Sequence, residues 1–167
     1  GTVSSLKTIS VRPAAGQSIN SNDASSIAVD SNGFLYVVDA TVNKIFVFDP
    51  THGANQTLED ATRTIDLGHR ARTIALDSSG QIYAAGRYNS RIEIRIFSAG
   101  TSAGSSVPIQ TFTDSSTIST GEPFGLAIFP SGEVAVAQEH TADIRIFSAI
   151  ASGEVNPIRT ISGANTN

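Results

Sequence analysis

One motif occurs three times in this chain, and nothing else limits its possible folds so tightly. Ser26-Ile27-Ala28-Val29-Asp30-Ser31-Asn32-Gly33 is matched by Thr73-Ile74-Ala75-Leu76-Asp77-Ser78-Ser79-Gly80 and by Gly125-Leu126-Ala127-Ile128-Phe129-Pro130-Ser131-Gly132. A second apolar stretch follows each copy, at 34–38, 81–85 and 133–137. A third reads Ile45-Phe46-Val47-Phe48, Ile94-Arg95-Ile96-Phe97 and Ile144-Arg145-Ile146-Phe147. A fourth occurs four times: Leu6-Lys7-Thr8-Ile9, Thr62-Arg63-Thr64-Ile65, Ile109-Gln110-Thr111-Phe112 and Ile158-Arg159-Thr160-Ile161. The period is roughly 50 residues. Within each stretch side chains alternate: Ile27 and Val29 share one face and Ala28 takes the other. That is the spacing of a strand, not a helix.

The punctuation agrees. Asp30-Ser31-Asn32-Gly33 and Asp77-Ser78-Ser79-Gly80 are tight hairpin turns, in which Asp bonds the turn amides and Gly accepts positive φ. Pro130-Ser131-Gly132 does the same with Pro pre-setting φ. These Asp residues read as turn formers rather than acids or ligands, because they share one repeat position. Four strands per ~50 residues lie in the range of propeller blades. The sequence therefore predicts an all-β fold of four-stranded antiparallel blades. Three blades, at about 26–66, 72–113 and 124–162, form one domain over 1–167, with an extra N-terminal strand at about 6–10.

These motifs resemble NHL-type propeller repeats. The first unit carries most of that pattern: Ile27-Ala28-Val29-Asp30, Gly33, Leu35-Tyr36-Val37-Val38-Asp39, Asn43-Lys44-Ile45 and Val47-Phe48. The second keeps Ile82-Tyr83 and Arg91-Ile92 but has Gly86 in place of the second Asp. The third keeps Pro123-Phe124-Gly125-Leu126-Ala127 and loses the first Asp. The resemblance is specific for fold and weak for function, since such folds host scaffolds, lactonases and lyases alike.

Three blades are fewer than the roughly 4–8 of closed propellers and would leave apolar flanks larger than soluble monomers tolerate. Two readings follow: a piece of a longer propeller, or a homo-oligomer in which two chains close a six-bladed ring. In NHL-type rings an N-terminal outer strand often completes the last blade. Here the third unit already owns a fourth strand. Leu6, Lys7, Thr8 and Ile9, or Ile158, Arg159, Thr160 and Ile161, are thus candidates for donation to another subunit. Donation out of the ring would link rings into a filament.

Composition narrows the partners. The chain has 167 residues, 40% hydrophobic and 16% charged, with a net charge of −4. No basic stripe points to nucleic acid, and no apolar run approaches the ~20 residues that span a bilayer. Cys and Met are absent, which excludes disulfides and thiolate chemistry. The start at Gly1, the scarcity of Lys and the sequon Asn55-Gln56-Thr57 lead to the expectation of a secreted or extracellular chain, processed or excised from a longer one.

Chemistry in such a fold belongs at the mouth of the central channel, on the connections before the first strand and after the second strand of each unit. One potential ligand precedes each innermost strand: Asp23, His69 and Glu122. Converging on an axis, they would hold a divalent cation, as in the lactonases and amidating lyases that resemble this fold. The plain alternative is that they are solvated loop residues. No Ser-His-Asp spacing, phosphate loop or paired-carboxylate motif stands out, and the Ala99–Ser106 stretch reads as a flexible connection. Arg95 and Arg145 read first as a solvated strand face, with a salt bridge to Glu93 or Asp143 of a neighbouring blade as the alternative. The leading expectation is a non-enzymatic, self-assembling scaffold with no resident cofactor. The alternatives are a metal-dependent lactonase- or lyase-like enzyme acting at the channel mouth, or a fragment of a larger binding propeller.

Overall fold

The structure is a computed structural model. It describes residues 9–10, 24–51, 56–57, 60–101, 104, 107–115, 121–139 and 143–163. Leu6, Lys7, Thr8, Asp23 and Asn55 lie outside these residues.

Sheet one joins β2 (Ala24–Val29), β3 (Leu35–Asp39), β4 (Lys44–Phe48) and β6 (Arg63–Asp66) in that order. Sheet two joins β7 (Ala71–Leu76), β8 (Ile82–Tyr88), β9 (Arg91–Phe97) and β10 (Gln110–Asp114). Sheet three joins β11 (Pro123–Ile128), β12 (Val134–Gln138), β13 (Asp143–Phe147) and β15 (Arg159–Ser162). Each of these ladders is antiparallel, and the strands of each sheet follow in chain order. The hairpins turn where the Asp-to-Gly motifs stand. Asp30 Oδ1 accepts from the Asn32 and Phe34 amides at 2.9 Å, and Asp77 Oδ1 from Ser79 and Gln81 at 2.9 Å. The turn glycines Gly33 and Gly80 take φ of 85° and 80°, where a Cβ would be strained.

The sheets stack through two apolar layers. Ile45, Val47 and Ile65 of sheet one meet Ile74, Ile82 and Phe97 of sheet two. Ile94, Ile96 and Phe112 meet Val134, Val136 and Phe147 of sheet three, with the Phe112 and Phe147 rings 5.3 Å apart. The innermost strands β2, β7 and β11 lie side by side. Each begins with a β-bulge, at Ala24/Ser26, Ala71/Thr73 and Pro123/Gly125.

Two features depart from the sequence expectation. The connections between third and fourth strands are not plain loops. β14 (Gly153–Val155), from the connection in sheet three, runs parallel to β10 and makes sheet two five-stranded. β5 (Gln56–Thr57), from the connection in sheet one, runs parallel to β1 (Ile9–Ser10). Gly104 N donates to Thr64 O at 2.9 Å. These segments are too short to show a period, and they bond outside the sheet they connect: β14 to sheet two, Gly104 to sheet one and β5 to β1 in a two-stranded sheet of its own.

Second, the strand-face arginines are not solvated. Arg95 Nη1 donates to Leu67 O at 2.8 Å and its Nε pairs with Glu93 at 2.7 Å. Arg145, 7% exposed, pairs with Asp114 of the adjacent sheet and with Asp143 at 3.2 Å. Their side chains are drawn into the inter-sheet layer because the neighbouring outer strand presents an oxygen there: a backbone carbonyl at Leu67, a carboxylate at Asp114. Burial works against the Arg145 charge, and the hydrogen bond and attraction of Asp114, helped by Asp143, outweigh it and hold the guanidinium's pKa above its ordinary value.

Candidate functional site

Antiparallel pairing gathers one set of ends. The starts of β2, β7 and β11, the ends of β3, β8 and β12, and the ends of β6 and β10 share one edge of the stack. His69 and Glu122 both lie there, in the connections that lead into β7 and β11. Asp23, the third candidate ligand, lies outside the described residues.

His69 is 6% exposed. Its Nδ1 lies 3.1 Å from Leu67 O, so that nitrogen carries the proton and Nε2 is the lone-pair end. Nε2 is buried without a hydrogen-bond partner. Burial pushes the His69 pKa below its ordinary value, with the Leu67 carbonyl opposing, so the ring is neutral at pH 7. Glu122 Oε1 lies 3.5 Å from Arg70 Nη1, and its Oε2 is buried without a partner. Among the described residues no three His, Asp or Glu side chains converge, and Glu122 is engaged by a cation. The expected set of three includes Asp23, which lies outside the described residues, and no chemistry is derived through a metal.

The bulges supply residues that motif reading missed. The extra residue in each is Ser25, Arg72 and Phe124, one per innermost strand. A bulge re-aims a side chain and is common beside functional sites. The Arg72 guanidinium sits 5.5 Å from the centroid of the half-exposed Phe124 ring, a cation–π contact across adjacent sheets. Ser25 Oγ is buried without a hydrogen-bond partner. The signal available in sequence was positional: 25, 72 and 124 occupy the same place in the repeat. Asp39 is a turn former here; its Oδ1 accepts from the Thr41 amide at 2.8 Å. The edge thus combines the cations Arg70 and Arg72 and one neutral imidazole with several carboxylates, Glu122 beside Arg70 and Asp39, Asp66 and Asp114 at the strand ends, an arrangement in which the arginines could bind an anionic or carbonyl-bearing ligand.

Stacked antiparallel sheets with their first strands innermost define a β-propeller architecture, and comparison with known structures agrees. The chain is similar to a Bacteroides fragilis protein provisionally named a 6-phosphogluconolactonase (20% identity, TM-score 0.58, covering 81% of this chain and 38% of that one). It is similar to virginiamycin B lyase from Staphylococcus aureus (13%, 0.50, 84% and 41%). It is also similar to the WD40 β-propeller domain of Doa1 (14%, 0.53, 85% and 41%). At these identities the likeness is one of fold. The chain spans about two-fifths of the length of each of these structures. No curated protein matches it in sequence. Residues 1–116 match the family described as Lactonase, 7-bladed beta-propeller, and the chain belongs to that family. The comparisons support a propeller family without singling out the NHL repeats that the motifs resemble.

Proposed function

We propose that this chain forms consecutive blades of a lactonase-type propeller that opens cyclic esters at the channel mouth. The observation that carries the proposal is the polar edge of Arg70, Arg72, His69 and Glu122 in a chain of the lactonase family. Arg70 and Arg72 supply cationic donors for a carbonyl or acidic substituent of the substrate. Negative charge that develops on the carbonyl oxygen in the transition state is stabilised there. His69, held neutral, offers Nε2 to take a proton from water as its oxygen bonds to the carbonyl carbon. The ring C–O bond then breaks, and the leaving oxygen receives that proton. Glu122 fixes Arg70. The provisional name of the Bacteroides relative suggests a phosphorylated sugar lactone, whose charge would pair with Arg70 and Arg72.

The test is hydrolysis of neutral and phosphorylated lactones by the full-length protein, with the Arg70→Ala and Arg72→Ala variants. The proposal expects activity that falls roughly 100-fold when an oxyanion-stabilising donor is removed. An assembled ring that opens no lactone would end it.

A second reading is favoured by the apolar outer faces: Ile27 and Val29 are 67% and 61% exposed on one, Ile158 and Ile161 52% and 58% on the other. In it the chain is a non-enzymatic, extracellular scaffold that self-assembles by strand exchange. Two chains would close six blades, or rings would link through residues 6–9 or 158–161. It expects ordered rings or fibres of the chain alone by electron microscopy, and a persistent 17.4 kDa monomer would refute it.

A further inference from the structure

The edge opposite the candidate site holds a cavity between sheets one and two, with a volume of about 420 Å³. Its walls are the hairpin turn at 30–34, the hairpin turn at 78–80 and the start of β6 at Arg63. Pockets of ~300–1,000 Å³ are the size that takes a small organic ligand.

The charges in its lining are one guanidinium and one carboxylate, and both are held in place. Arg63 Nη1 donates to Thr101 O at 3.0 Å and to Ala99 O at 3.5 Å, and Nη2 donates to Tyr36 Oη at 3.1 Å. The guanidinium carbon lies 5.8 Å from the Tyr36 ring centroid. Arginine has five N–H donors, so the Nε–H and one Nη2–H remain for a ligand. Asp30 Oδ1 is taken by two turn amides, while Oδ2 has only the Tyr36 hydroxyl at 3.4 Å. The cavity thus presents spare donors and a spare acceptor on the two sides of one fixed phenol.

The repeat separates what the fold needs from what it does not. At the matching place between sheets two and three, Gln110 stands for Arg63, Pro130 for Ser78 and Gln81 for Phe34. Gln110 still donates to Ala151 O, the counterpart of Thr101 O, and Tyr83 still reaches Asp77 Oδ2 at 3.5 Å. The bond between sheets needs only an amide, and the turn needs no hydroxyl at position 78. The guanidinium, the Ser78 hydroxyl and the Phe34 ring are additions at the first interface.

We infer that this cavity binds a neutral polyhydroxylated ligand, a small sugar, whose neighbouring hydroxyls bridge Arg63 and Asp30. A hydroxyl both donates and accepts, so a pair of them satisfies the Asp30 oxygen and the Arg63 N–H groups together. An anion would be repelled by Asp30 and a cation by Arg63. Ser31, Asn32 and Ser78, exposed at the rim, add hydroxyl and amide partners. The half-buried Phe34 ring gives the C–H face of a sugar an apolar wall. The inference goes beyond the lactone reading and does not depend on it.

The test is an amide NMR titration of the full chain with glucose, galactose, mannose, N-acetylglucosamine and maltose in turn. At least one sugar is expected to shift the amides of Ser31, Asn32, Phe34, Ser78 and Ser79 and to leave those of His69, Arg70 and Arg72 in place. Arg63→Gln copies Gln110 and keeps the bond between sheets, so it should weaken that sugar about tenfold or more with little change in thermal midpoint. Ser78→Pro copies Pro130 and should weaken it by about two- to tenfold. Inorganic phosphate, the anionic control, should leave the cavity amides unmoved. Full affinity in either variant that folds overturns the inference. So do shifts of the cavity amides by phosphate, sugar shifts confined to the His69 edge, or no shift with any of the sugars.

Discussion

The Asp114→Ala substitution tests whether charge buried between the sheets holds them in register. The Asp114 side chain is 2% exposed, that of Arg145 8% and that of Asp143 11%. Removing one partner of a buried pair costs about 3–5 kcal/mol, because the remaining charge stays desolvated. Asp143 still reaches Arg145 Nε at 3.2 Å, so the lower end, about 3 kcal/mol, is expected. For a chain of this size about 1 kcal/mol moves the melting point by roughly 2–4 °C, so Tm should fall by about 6–12 °C. Glu133→Ala is the control. It breaks the exposed pair with Arg159 (56% and 27% exposed) and should cost less than about 1 kcal/mol, an effect that fades further in high salt. Thermal and urea unfolding of the two variants side by side is the assay. An Asp114→Ala protein within about 1 kcal/mol of wild type would refute the argument that the pair is desolvated.

Three further outcomes follow from the same packing. A Cβ on Gly86 would lie 1.8 Å from Arg70 O and one on Gly121 2.0 Å from Glu139 O, so each Gly→Ala change should destabilise by about 1–3 kcal/mol or more. Gly100→Ala, which meets nothing within 4 Å, should stay within about 0.5 kcal/mol in urea titration. His69 has a folded pKa below its unfolded value, so the unfolded chain takes up the proton first as pH falls. Its stability contribution is complete above the ordinary His value of about 6.5 and is lost as pH drops through the folded value. His69→Gln should flatten that limb in unfolding curves, and a wild-type curve with no such limb would contradict the burial argument. Burial, opposed by Arg63 and aided by Asp30 for Tyr36, and aided by Asp77 for Tyr83, raises both phenols above their ordinary pKa. Spectrophotometric titration should show both ionising later than free tyrosine.

The strands were legible because their signals are local. Alternation over five or six residues, bounded by Asp30…Gly33 or Asp77…Gly80, leaves few other structures open. The short parallel pairings were not, because Gln56–Thr57 and Gly153–Val155 are too short to alternate and find their partners outside the sheet they connect. Only the common position of Gly104 and Gly153, read with their φ, marks them. For Arg145 the Asp143 pairing was open to sequence reading, but nothing near it in sequence reveals Asp114 as its partner across the layer. At the candidate site the positions of His69 and Glu122 at one edge followed from the repeat. The burial of His69, the engagement of Glu122 by Arg70 and the bulge that brings Arg72 to Phe124 depend on how the sheets stack.

Disulfide trapping reaches the central claim, that the sheets stack as propeller-like layers with β1 seated on β5 within one chain. The chain has no Cys, so introduced pairs report cleanly, and parallel neighbours about 4.8 Å apart lie within bridging distance. Ser10→Cys with Thr57→Cys should oxidise within one chain, while Thr57→Cys with Ser162→Cys should yield no bridge between chains while β1 is intact. Chains cross-linked through positions 57 and 162 would contradict the account.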